Sequence, residues 1–238
     1  MTVEGLVKIN SNDIENKATK LLLHFHPSYF KHYLSTPLLS IVDFLKEKHK
    51  IIFDFDTSLG FNNDNYKLLG AFNPAKRIIL IDVSLKDDLA KFNFTLAHEL
   101  GHLALHRNLK IKYDETDEDI PTETATAPFF KRDLKSDIDW MEWQANTYAS
   151  CLLLPTEILK TALVSCQKQL GISRTGAIFV DNQPCNQQSF FQLINLLSLK
   201  FGVSKSVVEY RLLKLKLIDD RRQGYQSLNE VLRNSKYS

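Results

Sequence analysis

The chain has 238 residues, of which 44% are hydrophobic and 24% charged, and its formal net charge is +2. These values are ordinary for a globular protein, and the length allows one large domain, or a domain with an appendage, around a substantial core. Because the net charge is close to zero, the whole molecule has no electrostatic signature of a nucleic-acid or membrane partner, so DNA binding is disfavoured and no membrane partner is expected.

The first half of the chain predicts helices followed by a small sheet. Residues 16–34 carry a helical apolar pattern interrupted by Pro27, and Pro37 opens a second helix over 38–48. Three strand-like runs separated by turn signals follow at residues 51–55, 68–72 and 77–81. We therefore expect an α+β fold with a small, mostly antiparallel sheet packed against helices.

The second half predicts mainly helices, interrupted once. A helix over about 88–107 precedes a strongly acidic insertion over about 108–136, which is either a solvated loop or a substrate-selecting flap. Further helices and one short strand are expected at residues 139–154, 157–170, 177–180, 188–201 and 204–217. We divide the chain into a core at residues 1–170 and a C-terminal helical region at 171–238, where the turn at 202–204 resembles that of a helix-turn-helix.

Cysteine usage and apolar runs bear on the compartment. The three cysteines, Cys151, Cys166 and Cys185, are far apart and form no Cys-x-x-Cys pair, so we interpret them as free thiols in a reducing environment. The polar first residues contain no signal-peptide core, and the longest apolar run, residues 151–154, is too short to span a membrane. A cytoplasmic protein is therefore expected.

The most informative motif is His-Glu-x-x-His at His98, Glu99 and His102. On a helix both imidazoles leave the same face one turn apart and can reach one Zn²⁺, while Glu99 lies about 100° round the helix, within reach of a metal-bound water. The flanking residues are apolar, so the helix is expected to be buried, and buried polar groups need partners. A metal satisfies all three side chains; the alternative is a solvated or hydrogen-bonded helix face.

A catalytic zinc usually has three protein ligands, and Glu142 is the best candidate for the third. It is the one acidic residue beyond the first turn of an otherwise apolar helix, although it could instead form a capping box with Asp139. Asn146, one turn later, is either a partner for the distal nitrogen of a ligating histidine or an ordinary polar surface residue. His106 lies one turn too far along to share the metal easily, so we expect it to be structural or to contact a ligand.

These segments together resemble the ImmA/IrrE family of metallopeptidases. The resemblance covers most of the chain and is carried by residues 37–45, 94–102, 142–155 and 201–215, of which the last segment is the least specific. The gap from His102 to Glu142 is longer than usual for the family, and residues 171–188 look expanded. Both departures could alter the choice of substrate, but neither removes a chemical residue.

The resemblance implies a zincin-like, mini-gluzincin core, with His98, His102 and Glu142 as ligands of one Zn²⁺ per chain and Glu99 as the catalytic base. It also implies a substrate class, helix-turn-helix repressors, whose cleavage derepresses genes of mobile elements, prophages or stress responses. We therefore expect a site-specific zinc endopeptidase acting on such a repressor. The sequence leaves open the identity of the substrate, the cleavage site, the activating signal and the oligomeric state.

A competing interpretation is a non-catalytic, zinc-containing regulator that binds a repressor or DNA through its C-terminal helices. These helices carry a basic segment consisting of Lys205, Arg211, Lys214, Lys216, Arg221 and Arg222. The opposing interpretation is that their apolar residues pack on the core, while the basic ones are solvated or dock a protein, and the near-neutral net charge favours it. For a peptidase, a second oxyanion donor is also expected, with Tyr148, His106 and a residue of the insertion as candidates.

Overall fold

The computed structural model describes residues 2–62, 65–112, 122–124 and 134–222. Its elements in chain order are β1 (Thr2–Glu4), α1 (Ser11–Phe25), α2 (Tyr29–His32), α3 (Leu38–His49), β2 (Ile52–Asp54), β3 (Leu68–Asn73), β4 (Ile78–Ile81), α4 (Leu89–Leu105), β5 (Lys110–Lys112), β6 (Thr122–Thr124), α5 (Asp137–Leu153), α6 (Thr156–Gln169), β7 (Ile178–Val180), α7 (Pro184–Phe201), α8 (Lys205–Lys214) and β8 (Ile218–Asp220). A short 3₁₀ turn at Val83–Leu85 connects β4 to α4.

Four of the strands form one mixed sheet in the order β2–β4–β3–β6. The β2–β4 pair is parallel, whereas β3 pairs antiparallel with both β4 and β6. The remaining strands form two short pairs, β1 with β5 and β7 with β8. The predicted α+β class, with a small and mostly antiparallel sheet packed against helices, is confirmed.

The helix predicted over residues 16–34 is in fact two helices. α1 begins at Ser11 because the side chain of Asn10 caps it, accepting a hydrogen bond from the backbone N–H of Asp13 at 3.0 Å. It ends at Phe25 because a residue before proline is driven out of the helical region, and His26 is extended with φ −148°. The short α2 follows Pro27.

α5 begins two residues earlier than predicted, at Asp137. Ser136 is its N-cap, and Ser136 and Asp139 form a capping box in which each side chain accepts from the other's backbone N–H. Glu142 takes no part in this cap, so the capping alternative for Glu142 is wrong.

The core is centred on α4 and α5, whose facing residues are buried. Their closest approach is at Gly101, where an added Cβ would lie 3.0 Å from the Cα and carbonyl oxygen of Ala145. The same atom would lie 3.3 Å from the Cβ of Tyr148. Because a methyl group at Gly101 would be too close to this backbone unless α5 shifted, the missing side chain lets the two helices pack backbone against backbone.

The C-terminal helices continue this core rather than standing apart from it. Val207, Val208 and Leu212 of α8 are buried in the same apolar cluster as α4 and α5. Arg221 and Arg222 of the basic segment form ion pairs with neighbouring aspartates. Although the core crosses residue 170, the division into two domains at that residue stays a prediction.

Arg211, another member of the basic segment, is buried between four helices. Its Nε donates to the carbonyl oxygen of Leu154 at 3.1 Å, and its Nη2 donates to the hydroxyl of Thr156 at 3.0 Å. The same Nη2 lies 2.8 Å from Oε1 of Glu15. This corner joins α1, α8 and the junction of α5 with α6, so Arg211 stabilises the fold and is not exposed for binding.

A second buried charge, Asp82, follows β4. It accepts hydrogen bonds from the backbone N–H of Leu59 at 2.8 Å and from the N–H of Ser84 at 3.0 Å, and it lies 3.2 Å from Nζ of Lys67. Burial by itself disfavours the carboxylate, but the Ser84 hydroxyl and these other partners outweigh it and lower the pKa of Asp82 to about 2. Asp82 thereby ties the loop before β3 to the end of β4.

Most of the predicted insertion, residues 113–121 and 125–133, lies outside the described residues, so the loop and flap interpretations stay predictions. The three cysteines are free, as expected. In the described ranges no single helix combines the length and the apolar character needed to cross a membrane. By length and composition alone, α5 and α6 meet that test jointly, as a pair bent by 54°.

Candidate metal centre

Three side chains from α4 and α5 converge on one point. His98 Nε2 and His102 Nε2 are 2.9 Å apart, and carboxylate oxygens of Glu142 lie 3.2 Å from the first and 3.5 Å from the second. In a tetrahedral zinc site with bonds of roughly 2.0–2.1 Å, neighbouring ligand atoms are about 3.3–3.4 Å apart. The structure therefore brings the three predicted ligands together at a spacing suited to a metal ion.

The ionisation states of these groups suit a metal as well. Burial lowers the pKa of His102, although the charge of Glu142 opposes this effect. Burial raises the pKa of Glu142, but His102 and His98 outweigh this effect. They hold the pKa of the carboxyl group well below its usual range. The two directions favour a neutral His102 and an ionised Glu142, which are the forms that bind metals.

A hydrogen bond behind the cluster orients His98. Its Nδ1 donates to Oδ1 of Asn146 at 2.9 Å, one turn beyond Glu142 on α5. With the proton on Nδ1, the lone pair of Nε2 is directed towards the cluster. Asn146 is buried and contacts the distal nitrogen of His98, so it is not an ordinary surface residue; the ligand role of His98 itself stays a prediction.

A longer chain of hydrogen bonds orients His102. The Gln144 amide donates to the carbonyl oxygen of Val7 at 2.9 Å, and its Oε1 accepts from Nε2 of His106 at 3.1 Å. Burial and the nearby His102 lower the pKa of His106 to about 3, so this ring is neutral and its Nδ1 offers only a lone pair. His102 Nδ1 must therefore donate across the 3.0 Å contact to His106, which directs the His102 Nε2 lone pair towards the cluster.

The donor set fits a metal ion. The two hydrogen-bond chains direct both Nε2 lone pairs towards each other, and the Glu142 carboxylate adds further lone pairs. Electron-pair donors at these distances repel one another unless a cation lies between them. Two imidazoles and one carboxylate are also a ligand set of catalytic zinc sites.

Glu99 lies beside the two histidines on α4 and is 1% exposed. It packs against β3 at Gly70, where an added Cβ would lie 2.7 Å from Oε1 of Glu99 and 2.6 Å from Cγ2 of Thr95. Only glycine leaves room for both side chains at this position. Sequence reasoning missed Gly70, although an isolated glycine inside an apolar strand is a known signal of close backbone approach.

The candidates for a second oxyanion donor fare differently. Both nitrogens of His106 are already hydrogen-bonded, so this ring supports His102, in line with the expectation that it contacts a ligand. Tyr148 is fully buried, and burial raises its pKa. It lies six residues after Glu142, about 240° round the helix axis, and therefore on a different side of α5 from the predicted ligand. Most of the insertion lies outside the described residues, so its candidacy for this role stays a prediction.

A sequence model of the IrrE N-terminal-like domain of peptidase family M78 matches residues 56–213, well over half of the chain. The chain belongs to this peptidase family. The matched range includes His98, Glu99, His102 and Glu142, and it extends to the last turn of α8. The resemblance found in the sequence is confirmed, and M78 membership supports a metallopeptidase role.

No curated protein matches the chain. Among solved structures, one similar chain is described as a Mycobacterium tuberculosis transcriptional regulator, with 14% identity and a TM-score of 0.48. The match covers 84% of this chain and 46% of that one, so the chain spans about half the length of the regulator. This likeness adds nothing to the functional argument, which depends on the M78 match and on the centre itself.

Proposed function

We propose that the protein is a zinc-dependent, site-specific endopeptidase. The observation that carries the proposal is the convergence of His98, His102 and Glu142 beside the buried Glu99, in a chain of peptidase family M78. Three protein ligands leave a fourth position for water or substrate, which distinguishes catalytic zinc sites from structural ones.

A bound zinc ion would supply Lewis-acid polarisation of the scissile carbonyl and of a water molecule. Glu99 has the complementary role in this proposal: a carboxylate oxygen takes a proton from the attacking water and passes it to the nitrogen of the leaving amine. Packing against Gly70 limits where this carboxylate can lie, and fixed geometry is a large part of what an enzyme contributes. Asn146 and His106 hold the two histidines in the required tautomers.

We infer that the substrate is a helix-turn-helix repressor in the cytoplasm and that its cleavage derepresses the genes it controls. This inference depends on the resemblance to ImmA/IrrE peptidases. Glu142 is the one predicted ligand with substantial exposure, 30% of its side chain, so an extended substrate segment would approach from its side. A peptidase specific for one site should have little activity on casein, and such an assay would decide nothing.

The test is co-expression with the helix-turn-helix repressor encoded nearest to the gene of this protein, followed by intact-mass analysis of the repressor. Wild type should make one discrete cut. Glu99→Gln should keep its metal and cut about 10²–10⁴-fold more slowly, because the general base is lost. Glu47→Gln, on the exposed side of α3, is the matched control and should cut like wild type.

Two results would contradict the proposal. If Glu99→Gln cuts as fast as wild type, the assigned base is wrong. If the repressor stays intact but co-purifies with wild type and with Glu99→Gln, the competing function, a non-catalytic regulator, is favoured. DNA binding through the basic segment is the weaker form of that alternative, since Arg211 is buried in ion-paired contact with Glu15.

A further inference from the structure

A second concave site lies behind the metal centre. Its cavity has a volume of about 530 Å³, within the range of small-molecule sites, and is enclosed by α1, α3, the turn between β3 and β4, the end of α4, and α5. Leu100 and Ala104 line it, each two residues after a predicted ligand and thus about 200° round the α4 axis. The cavity and the metal centre therefore occupy opposite faces of one helix.

The inner wall of this cavity is apolar. Leu45 and Ile51 are each 5% exposed, Phe72 is 5% exposed and Leu100 is 1% exposed. These side chains belong to the main core, so the wall is rigid and formed by folding alone. A ligand with an apolar body could bury that body here.

The rim carries positive charge. Four cationic side chains line it, all of them exposed: Lys17, Lys20, Arg77 and Arg107. None of the described lining residues is acidic. His49 also lies on the rim, and its pKa is lowered. The largest cause is burial, followed by the positive charges of His24, Lys48, Arg77 and Arg107. The Arg77 guanidinium donates to the His49 carbonyl oxygen, which holds one cation over the opening.

One buried polar group at the cavity has no assigned role. Tyr148 lines the cavity and is fully buried, and its hydroxyl has no hydrogen-bond partner among the residues that the structure describes. Because Tyr148 is fully buried, its hydroxyl is not accessible to a ligand in the cavity.

The geometry points to a binding site for a small amphipathic anion. Its apolar body would pack against the wall at Leu45, Phe72 and Leu100, and its anionic group would lie among Lys17, Arg77 and Arg107. Anionic groups of this kind, whether carboxylate, sulfonate or phosphate, form charge-assisted hydrogen bonds with arginine and lysine. This site is independent of the proposed peptidase chemistry, since no lining residue belongs to the metal centre.

Binding of 8-anilinonaphthalene-1-sulfonate to the folded, full-length protein tests the proposal. This probe combines an aromatic body with a sulfonate, and N-phenyl-1-naphthylamine is its neutral counterpart. Calorimetry and fluorescence should show one saturable site for the sulfonate. We expect the neutral compound to bind about tenfold more weakly, because complementary charge contributes to the first and not to the second.

Two variants locate the site. Arg77→Gln with Arg107→Gln should weaken sulfonate binding about tenfold or more while leaving the neutral compound unaffected. The matched control, Lys160→Gln with Lys168→Gln on α6, should bind like wild type. Ala104→Phe places a bulky group in the cavity from an exposed position, so it should abolish binding of both probes; circular dichroism would verify that each variant is folded.

Three outcomes would overturn the assignment. Equal affinity for the charged and neutral probes would remove the anion requirement. Unchanged binding in both the double arginine variant and Ala104→Phe would place the probe elsewhere. A large gain in affinity after neutralising the acidic residues between 114 and 119 would mean that the chain's own acidic segment, and not a small anion, is the occupant.

Discussion

Two of the regions in which charged and polar side chains are buried differ in their consequences. At the metal centre, Glu142 and the Nε2 atoms of His98 and His102 converge on one another, and the Nδ1 atom of each histidine is hydrogen-bonded on the side away from that point. At the corner between α1 and α8, each described contact of Arg211 joins it to an acceptor. Burial of a charge therefore does not by itself indicate a functional site. The convergence of several electron-pair donors on one point does.

The largest effect should come from breaking the convergence itself. Glu142→Ala removes one of three ligands, so its affinity for zinc should fall by more than the roughly 10–100-fold that loss of a supporting partner costs. Metal content after dialysis against a chelator series measures this. Glu157→Ala, an exposed glutamate on α6, is the control; equal metal retention by both variants would show that Glu142 is no ligand.

The next effect tests the structural region. Arg211→Met removes the partner of Glu15, so we expect a loss of about 3 kcal/mol in the free energy of unfolding, because breaking a buried pair leaves one charge uncompensated. Urea denaturation measures it. Arg211→Met with Glu15→Met should recover much of the loss, and zinc affinity should stay at the wild-type value in both. A wild-type unfolding curve for the single variant would remove Arg211 from the structural group.

A smaller effect is expected where packing meets chemistry. Gly70→Ala brings a methyl group against Thr95 and Glu99, so it should cost about 1–3 kcal/mol of stability and slow repressor cleavage about 10²-fold, with zinc retained. Adding Thr95→Ser removes the clash with Cγ2 but not the one with the Glu99 carboxylate. Stability should then recover in part while cleavage stays slow. Full recovery of both would mean that Gly70 serves packing alone.

The smallest effect concerns Asp82, a buried charge with no part in the centre. Its pKa falls from 3.8 to about 2 on folding, so the carboxylate stabilises the fold above pH 4, and this contribution disappears as the pH falls towards 2. The difference in unfolding free energy between wild type and Asp82→Asn should shrink by about 2 kcal/mol over that window. The exposed control Asp43→Asn should differ from wild type by much less, and a constant difference for Asp82→Asn would contradict the assignment.

The sequence allowed the centre to be predicted because its signals are local. His98 and His102 are one turn apart on one helix, and Glu142 stands out as an acid in an apolar helix. The support of His102 was not predictable in the same way, because the bond from Gln144 to Val7 joins residues 137 positions apart and exists only after folding.

The same limit applies to the fold. The helices and the three main strands are visible in the apolar periodicity. The sequence does not show, in contrast, that one member of the basic segment, Arg211, is buried in the folded protein. Arg211 is buried where α1 places Glu15 against it. Apolar periodicity does not predict a contact between residues so far apart in the chain. Helix starts were missed where a cap lay outside the apolar pattern, as at Asn10 and Ser136.

Gly101 occupies the second variable position of the histidine motif, and its missing side chain lets the backbones of α4 and α5 touch. Folding by itself therefore brings Glu142 next to the histidines, so the metal site is preorganised before an ion binds. Preorganisation lowers the entropic cost of metal binding. It also means that the fold does not depend on the bound ion for its stability. Unlike small zinc domains that unfold when their metal is removed, this protein should keep its helices when a chelator takes the ion away.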